Sequence, residues 1–276
     1  QSSTIMRSAV AMLLAIIPTV SSLGGMLRIS YKASLLRRSA MSMSSKTPAP
    51  NVKRLVLVRH GEVDLAMFNG KKCYYGGVDI PLSAKGRDEA QAAATYLAKK
   101  EEITLIWTSP LSRAVFGAER IADVQKVDGV VRHDGFREVD RGDWVGLSEA
   151  EIGAETLSKW NKGPNFAPSG GGEALATVAK RVLAARDELL ASAPPGSTTC
   201  LVSHMWVTRS IVADALGLDT ENDTSELQTL DLPTASISVV EYTIDEKDGK
   251  TVTQKSVTYV GRKPSTEASA GDKWGG

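Results

Sequence analysis

Three short apolar runs recur along this chain, and each is followed by a helix-forming stretch: Arg54-Leu55-Val56-Leu57-Val58, Leu105-Ile106-Trp107 and Thr199-Cys200-Leu201-Val202-Ser203. Runs of this length, rich in Val and Ile and lacking a polar alternate, suit strands buried on both faces. Strands that alternate with helices build a largely parallel sheet covered on both sides. The expected fold class is therefore α/β, a three-layer sandwich with a mostly parallel central sheet and helices on both faces. In such sheets ligands sit at the carboxyl ends of the strands.

The helices have readable limits. Ser83 precedes a helical stretch to about Lys99 that repeats Ala90, Ala94, Leu97 and Ala98 on one face. Ser109-Pro110 reads as an N-cap followed by a Pro at the first helical position, with that helix ending near Asp123. Residues 172–193 carry Val178, Val182, Leu183, Leu189 and Leu190 as buried candidates, and Pro194-Pro195-Gly196 stops them. A further helix is expected from about Val207 to Leu216. Two last strands, Ser236 to Tyr242 and Thr251 to Val260, flank a charged turn around Lys247-Asp248-Gly249.

Charge is unevenly placed along the 276 residues. No Asp or Glu precedes Glu62, whereas residues 1–50 hold Arg7, Arg28, Lys32, Arg37, Arg38 and Lys46. Without those six cations the chain has 27 basic against 32 acidic residues, a net charge of −5. A nucleic-acid surface needs a basic face, so nucleic acid is not an expected partner.

The acid-free segment reads as an address. After Met6 and Arg7, an apolar run from Ala9 to Val20, broken by Pro18, leads to Ser21 and Ser22, in the manner of a secretory signal peptide. About a dozen residues fall short of the roughly 20 of a membrane-spanning helix, so no stable span is expected. Residues 23–50 are rich in Ser, Arg and Lys, as transit peptides are. The pair resembles a two-part plastid address, with a plain mitochondrial or chloroplast peptide as the alternative. The expected organisation is a targeting segment and linker over 1–50, one domain over 51–262, and a polar, disordered tail over 263–276. The expected location is an organelle, plastid ahead of mitochondrion.

Chemistry gathers at the strand ends. The chain has three histidines, and two of them close predicted strands: His60 follows Val58-Arg59, and His204 follows Val202-Ser203. If those strands are neighbours, both imidazoles emerge at one rim. No motif claims His133, which is left as structural. Cys73 and Cys200 form no metal-spacing pattern, and neither a metal nor a cofactor is expected.

Arg59-His60-Gly61-Glu62 resembles the signature of the histidine phosphatase superfamily, the phosphoglycerate mutase-like fold. Five further segments fall in that family's order. They are Tyr75 to Ser83; Thr108-Ser109-Pro110-Leu111-Ser112-Arg113-Ala114; Phe136-Arg137-Glu138 with Gly142-Asp143-Trp144-Val145-Gly146; Pro168 to Glu173; and Val202-Ser203-His204. The resemblance covers about residues 52–245 and points to the phosphatase branch that includes α-ribazole phosphatase-like proteins.

What the resemblance implies is a hydrolase of small phosphate monoesters. His60 receives the phosphoryl group, Arg59, Arg113 and His204 hold its oxygens, and Glu138 is the acid for the leaving group. Neutral imidazole suits the first role, since its unperturbed pKa of about 6.5 leaves a free lone pair at neutral pH. The partner is then a small phosphorylated metabolite; the oligomeric state stays open.

Two departures bear on substrate. Val63 and Ala66 stand where many relatives have neutral phosphate donors, and Met205 and Trp206 follow His204 where a small residue is usual. With Tyr75, those two bulky side chains are expected to line the substrate pocket. A phosphoglycerate mutase-type phosphotransferase and a non-catalytic regulatory or binding protein on the same fold are the competing readings.

Overall fold

A computed structural model of the chain describes residues 47–220, 222–247 and 250–264. Residues 1–46 of the targeting segment and linker expected over 1–50, the turn at 248–249, and residues 265–276 of the tail expected over 263–276 lie outside the described residues.

Six strands form one sheet in the order β3-β2-β4-β1-β5-β6. They are β1 (Val52–Arg59), β2 (Ile103–Thr108), β3 (Val131–Arg132), β4 (Thr198–Ser203), β5 (Ile237–Lys247) and β6 (Lys250–Arg262). The first four run parallel to one another, whereas β5 lies antiparallel to β1 and pairs with β6 as an antiparallel hairpin. The sheet is therefore mixed, with its parallel part where the sequence alternates strand and helix.

Strand alternation divides the core. Val56 and Val58 of β1, Ile106 of β2, Cys200 and Val202 of β4, and Ile237 and Val239 of β5 share one face. That face meets Ala93, Ala94 and Leu97 of α1 (Ala84–Lys100) and Ala114, Ala118 and Ile121 of α2 (Ser112–Gln125). Leu55, Leu57 and Leu201 point oppositely because side chains alternate along a strand. On their side lie α5 (Leu175–Ser192) and α6 (Met205–Leu216), which bury Val178, Val182, Leu189, Val207 and Ile211. Two short helices, α3 (Glu149–Ile152) and α4 (Ala154–Lys162), lie between β3 and α5 in the chain. Leu183 and Leu190, also expected inside, are only half-buried.

The helix carrying Arg113 starts later than its Ser-Pro pair suggests. Its first residue is Ser112, and its N-cap Leu111 supplies no side-chain bond. The cap comes from a distant loop: Asp79 Oδ1 accepts from the Ser112 N–H at 2.8 Å and from the Ser112 hydroxyl at 2.7 Å. A carboxylate at a helix start satisfies an orphan donor and complements the dipole. The Ser109 hydroxyl is thereby free for another task.

Among the described residues, no helix is long and apolar enough to cross a membrane. Among them, too, no group of three His, Cys, Asp or Glu side chains is placed to hold a metal ion.

Candidate active site

Register brings the two histidines together. In the parallel β1–β4 pair, Arg59 lies opposite Ser203, so His60 and His204 are the next residues level with each other. The His60 N–H also donates to the Ser203 carbonyl at 3.0 Å, which carries the pairing one residue past the strand. Their ring centroids lie 5.1 Å apart at an angle of 61°. Adjacent strands are about 4.8 Å apart, so this proximity is a property of the sheet itself.

The chain must leave the sheet abruptly after His60, and the path is tight. A Cβ on Gly61 would stand 2.2 Å from the Gly86 carbonyl oxygen, and one on Gly86 would stand 1.9 Å from that of Glu62. Glycine at both positions lets the loop lie directly on the first turn of α1. Buried Glu89 of that helix accepts from the Glu62 N–H at 2.9 Å and holds the loop down.

Hydrogen bonding defines which ring nitrogens are free. His60 Nδ1 faces the Gly61 carbonyl at 2.7 Å. A carbonyl only accepts, so Nδ1 bears the proton and Nε2 keeps its lone pair. His204 Nε2 lies 2.7 Å from the Ser109 hydroxyl, whose oxygen accepts from the Leu111 N–H at 3.3 Å. The Ser109 oxygen has a second lone pair, so the contact fits either direction; in the tautomer where Ser109 donates to Nε2, His204 carries its own proton on Nδ1. That Nδ1 is buried without a partner.

Both rings are neutral near pH 7. Burial first, then the charges of Arg113 and Arg59, hold His60 well below the usual histidine value. Burial and the Arg113 charge, followed by His60 and Arg59, do the same to His204.

Two guanidiniums complete the rim. Arg113, fully buried in the first turn of α2, donates from Nη1 to the Val78 carbonyl at 2.6 Å and from Nη2 to the Gly76 carbonyl at 2.7 Å. Gly76 adopts φ +43°, and a Cβ there would stand 2.2 Å from the Val139 carbonyl oxygen. The 75–79 loop thus caps α2 through Asp79 and accepts from Arg113 through its backbone. Arg59 donates from Nη1 to the Leu232 carbonyl. In both arginines Nε is buried and unpartnered. With His204 Nδ1, three buried nitrogens are left without a partner on residues whose rings or charges act on His60, and the two guanidinium donors among them call for an acceptor.

Glu138 comes from the segment before α3 and is 8% exposed. Its Oε1 accepts from the Val139 N–H at 3.0 Å and from the Trp206 N–H, at the start of α6, at 3.3 Å. A clamp absent from the sequence reading holds this segment. Arg181 of α5 donates to the carbonyls of Gly135, Arg137 and Glu138 at 3.0, 2.8 and 3.3 Å. Glu173 anchors Arg181 through two 2.7 Å bonds and accepts from the Asp140 N–H at 2.9 Å. Glu173 lies ahead of α5, and its bonds tie down the loop.

A cavity of about 460 Å³ opens against Arg59 and Glu138, and its lining includes Tyr75 and Met205. Trp206 does not line it, contrary to expectation. That ring is 2% exposed and packs edge-on against Trp160 at 4.9 Å, because the second residue of α6 turns toward the core. Its contribution at the cavity is its backbone N–H. Val63, where relatives often place a donor, instead forms a bridge with Leu82. His133 is structural, with Nδ1 accepting from the Gly135 N–H and the ring set against Trp107 and Phe136.

Sequence reasoning missed Ser109, Asp79, Arg141 and Arg181. Only Ser109 and Asp79 lie within motifs that had been singled out, and Ser109 had been given the task of an N-cap.

Comparison with known proteins follows the same lines. The family model of the histidine phosphatase superfamily (branch 1) matches residues 55–255. Glucosyl-3-phosphoglycerate phosphatase of Mycobacterium tuberculosis is 35% identical over 181 residues, which span 62% of this chain and 78% of that protein. Phosphoserine phosphatase 1 of Hydrogenobacter thermophilus is 31% identical over 169 residues, 60% of this chain and 77% of that one. The native structure of the mycobacterial glucosyl-3-phosphoglycerate phosphatase superposes with a TM-score of 0.65 and 28% identity, covering 76% of this chain and 99% of that one.

Proposed function

Because this chain belongs to the histidine phosphatase superfamily, branch 1, we propose that it hydrolyses small phosphate monoesters through a phosphohistidine on His60. The observation that carries the reading is that three buried nitrogens, Arg59 Nε, Arg113 Nε and His204 Nδ1, lack partners beside a neutral imidazole. A phosphoryl group presents three non-bridging oxygens, and its transfer depends on in-line positioning and charge stabilisation more than on other covalent chemistry.

The His60 Nε2 lone pair attacks phosphorus as the bond to the ester oxygen breaks. Glu138, in its protonated form, delivers the proton that the departing alkoxide takes up. Water then attacks the phosphohistidine, Glu138 accepts a proton from it, and the N–P bond electrons return to His60 as inorganic phosphate leaves. His204 donates to the same oxygens throughout, with Ser109 holding its tautomer. A general acid of this kind contributes about 10²–10⁴-fold to the rate. Two phosphatases among the relatives, one named for glucosyl-3-phosphoglycerate and one for phosphoserine, support a small-metabolite substrate.

The test is incubation with a panel of phosphate monoesters, following free phosphate and acid-labile phosphate on the protein. Release of phosphate with transient labelling, both abolished in His60→Ala, is the expected result. Isomerised ester without free phosphate would replace the hydrolase by a mutase. Absence of both would leave a binding protein.

A further inference from the structure

Arg141 is a buried cation that the phosphoryl chemistry above does not use. It is 5% exposed, and its Nε and Nη1 are buried without a hydrogen-bond partner. Its guanidinium carbon lies 4.6 Å from the centre of the Tyr74 ring and 4.3 Å from that of Trp160, so aromatic rings cover it. Burial pulls its pKa down to about 10, which still leaves it charged at neutral pH. Among the described residues it forms no ion pair. Glu138 is the one carboxylate whose charge acts on it, without forming a pair; a buried charge with no ion pair of its own is costly and calls for a partner supplied from elsewhere.

The side chain lines the same cavity as Arg59 and Glu138. We propose that Arg141 is a specificity-determining residue that binds a carboxylate on the leaving group, making the preferred substrates phosphate monoesters of hydroxy acids. This rests on the hydrolase reading above. Ring contacts to the guanidinium favour approach along its donor edge, and that edge matches a planar carboxylate through two parallel bonds. Charge argues for a monoanion rather than a second phosphate. The cavity lining holds Arg59, Lys72 and Arg141 against Glu138 and Glu149. With Arg59 turned to the phosphoryl group, Arg141 and Lys72 outweigh the rim carboxylate of Glu149 by one charge. With Glu138 protonated in the substrate complex, a second dianion would still meet repulsion from Glu149.

The experiment compares matched esters on the full chain. 3-Phosphoglycerate is set against glycerol 3-phosphate, phosphoserine against phosphoethanolamine, and fructose 1,6-bisphosphate against fructose 6-phosphate. The wild type is expected to favour each carboxylated ester by about 10–100-fold in kcat/KM, the range of hydrogen bonds to a charged group. In Arg141→Met, which keeps the stem between the two rings, that ratio is expected to fall to within about threefold of one. A purely structural Arg141 would slow both esters of a pair alike and leave the ratio intact, which overturns the proposal. So does a ratio near one in the wild type, whether or not the variant folds. A bisphosphate preference larger than the carboxylate preference would reassign the site to phosphate. Titration calorimetry with the same pairs reads the preference without turnover. Selective binding of the carboxylated esters by an inactive protein would sink the hydrolase reading and keep this one.

Discussion

Replacing Arg181 with Met tests whether a loop clamp, remote from the reacting atoms, controls the position of Glu138. The substitution keeps the apolar stem and removes two bonds to Glu173 and three to the carbonyls of Gly135, Arg137 and Glu138. Each hydrogen bond to a charged group contributes about 1.5–3 kcal/mol when fully buried. Here the pair is 25% and 20% exposed, so water replaces part of what is lost. A net loss of about 2–4 kcal/mol follows, well below the sum of five separate bonds. With a urea m-value of about 2 kcal/mol/M, the midpoint falls by about 1–2 M at unchanged m.

The same change lets residues 135–140 drift, and with Glu138 as the proposed acid, its displacement by an ångström lowers kcat by about 10²-fold. Equilibrium urea denaturation and steady-state phosphate release read the two effects. A double-mutant cycle with Glu173→Gln isolates the pair, for which a coupling of about 1–2 kcal/mol is expected. A midpoint shift worth less than about 1 kcal/mol would show that solvent replaces the clamp. Lost stability with kcat intact would show that the clamp holds the loop without placing Glu138.

Two other outcomes follow from the geometry. Asp79→Ala removes the remote cap of α2 and lowers stability by about 1 kcal/mol, or about 2–4 °C in Tm, with Asp79→Asn recovering most of it because its amide oxygen still accepts; thermal denaturation checks the order. The depressed values of His60 and His204 mean that the unfolded chain binds protons first as pH falls below about 6.5, while the folded rings stay neutral. Stability from these two groups is thus fully present above pH 6.5 and declines below it, with a slope approaching about 2.7 kcal/mol per pH unit. Urea titrations between pH 7.5 and 5 should show that slope in the wild type, and a His60→Asn, His204→Asn double variant that keeps it would refute the assignment.

Much of this was legible along the chain because it rests on local pattern. Short runs of three to five residues announced β1, β2 and β4. Their alternation with helices announced a parallel sheet, and the residues closing two of those strands announced where chemistry would gather. Register then did the rest, since residues level in neighbouring parallel strands are placed together by backbone pairing alone. The antiparallel placement of β5 against β1 carried no local sign, because strand direction depends on where the preceding connection ends.

The contacts that sequence order hides are those between side chains and remote backbone. Ser109 looks like a cap, and only the packed structure shows its hydroxyl on His204 while Asp79, 33 residues from Ser112, takes the capping role. Arg141 and Arg181 sit in unremarked helical or loop sequence, and nothing nearby distinguishes a buried arginine from a solvated one. Trp206 illustrates the reverse: the chain order puts it beside the pocket, and the 100° turn per residue of α6 sends its ring into the core. Periodicity and strand ends determined the sheet and the meeting of the two imidazoles at its rim. Which donors are left without acceptors is settled by burial and by partners distant in sequence, and those exist only once the chain has folded.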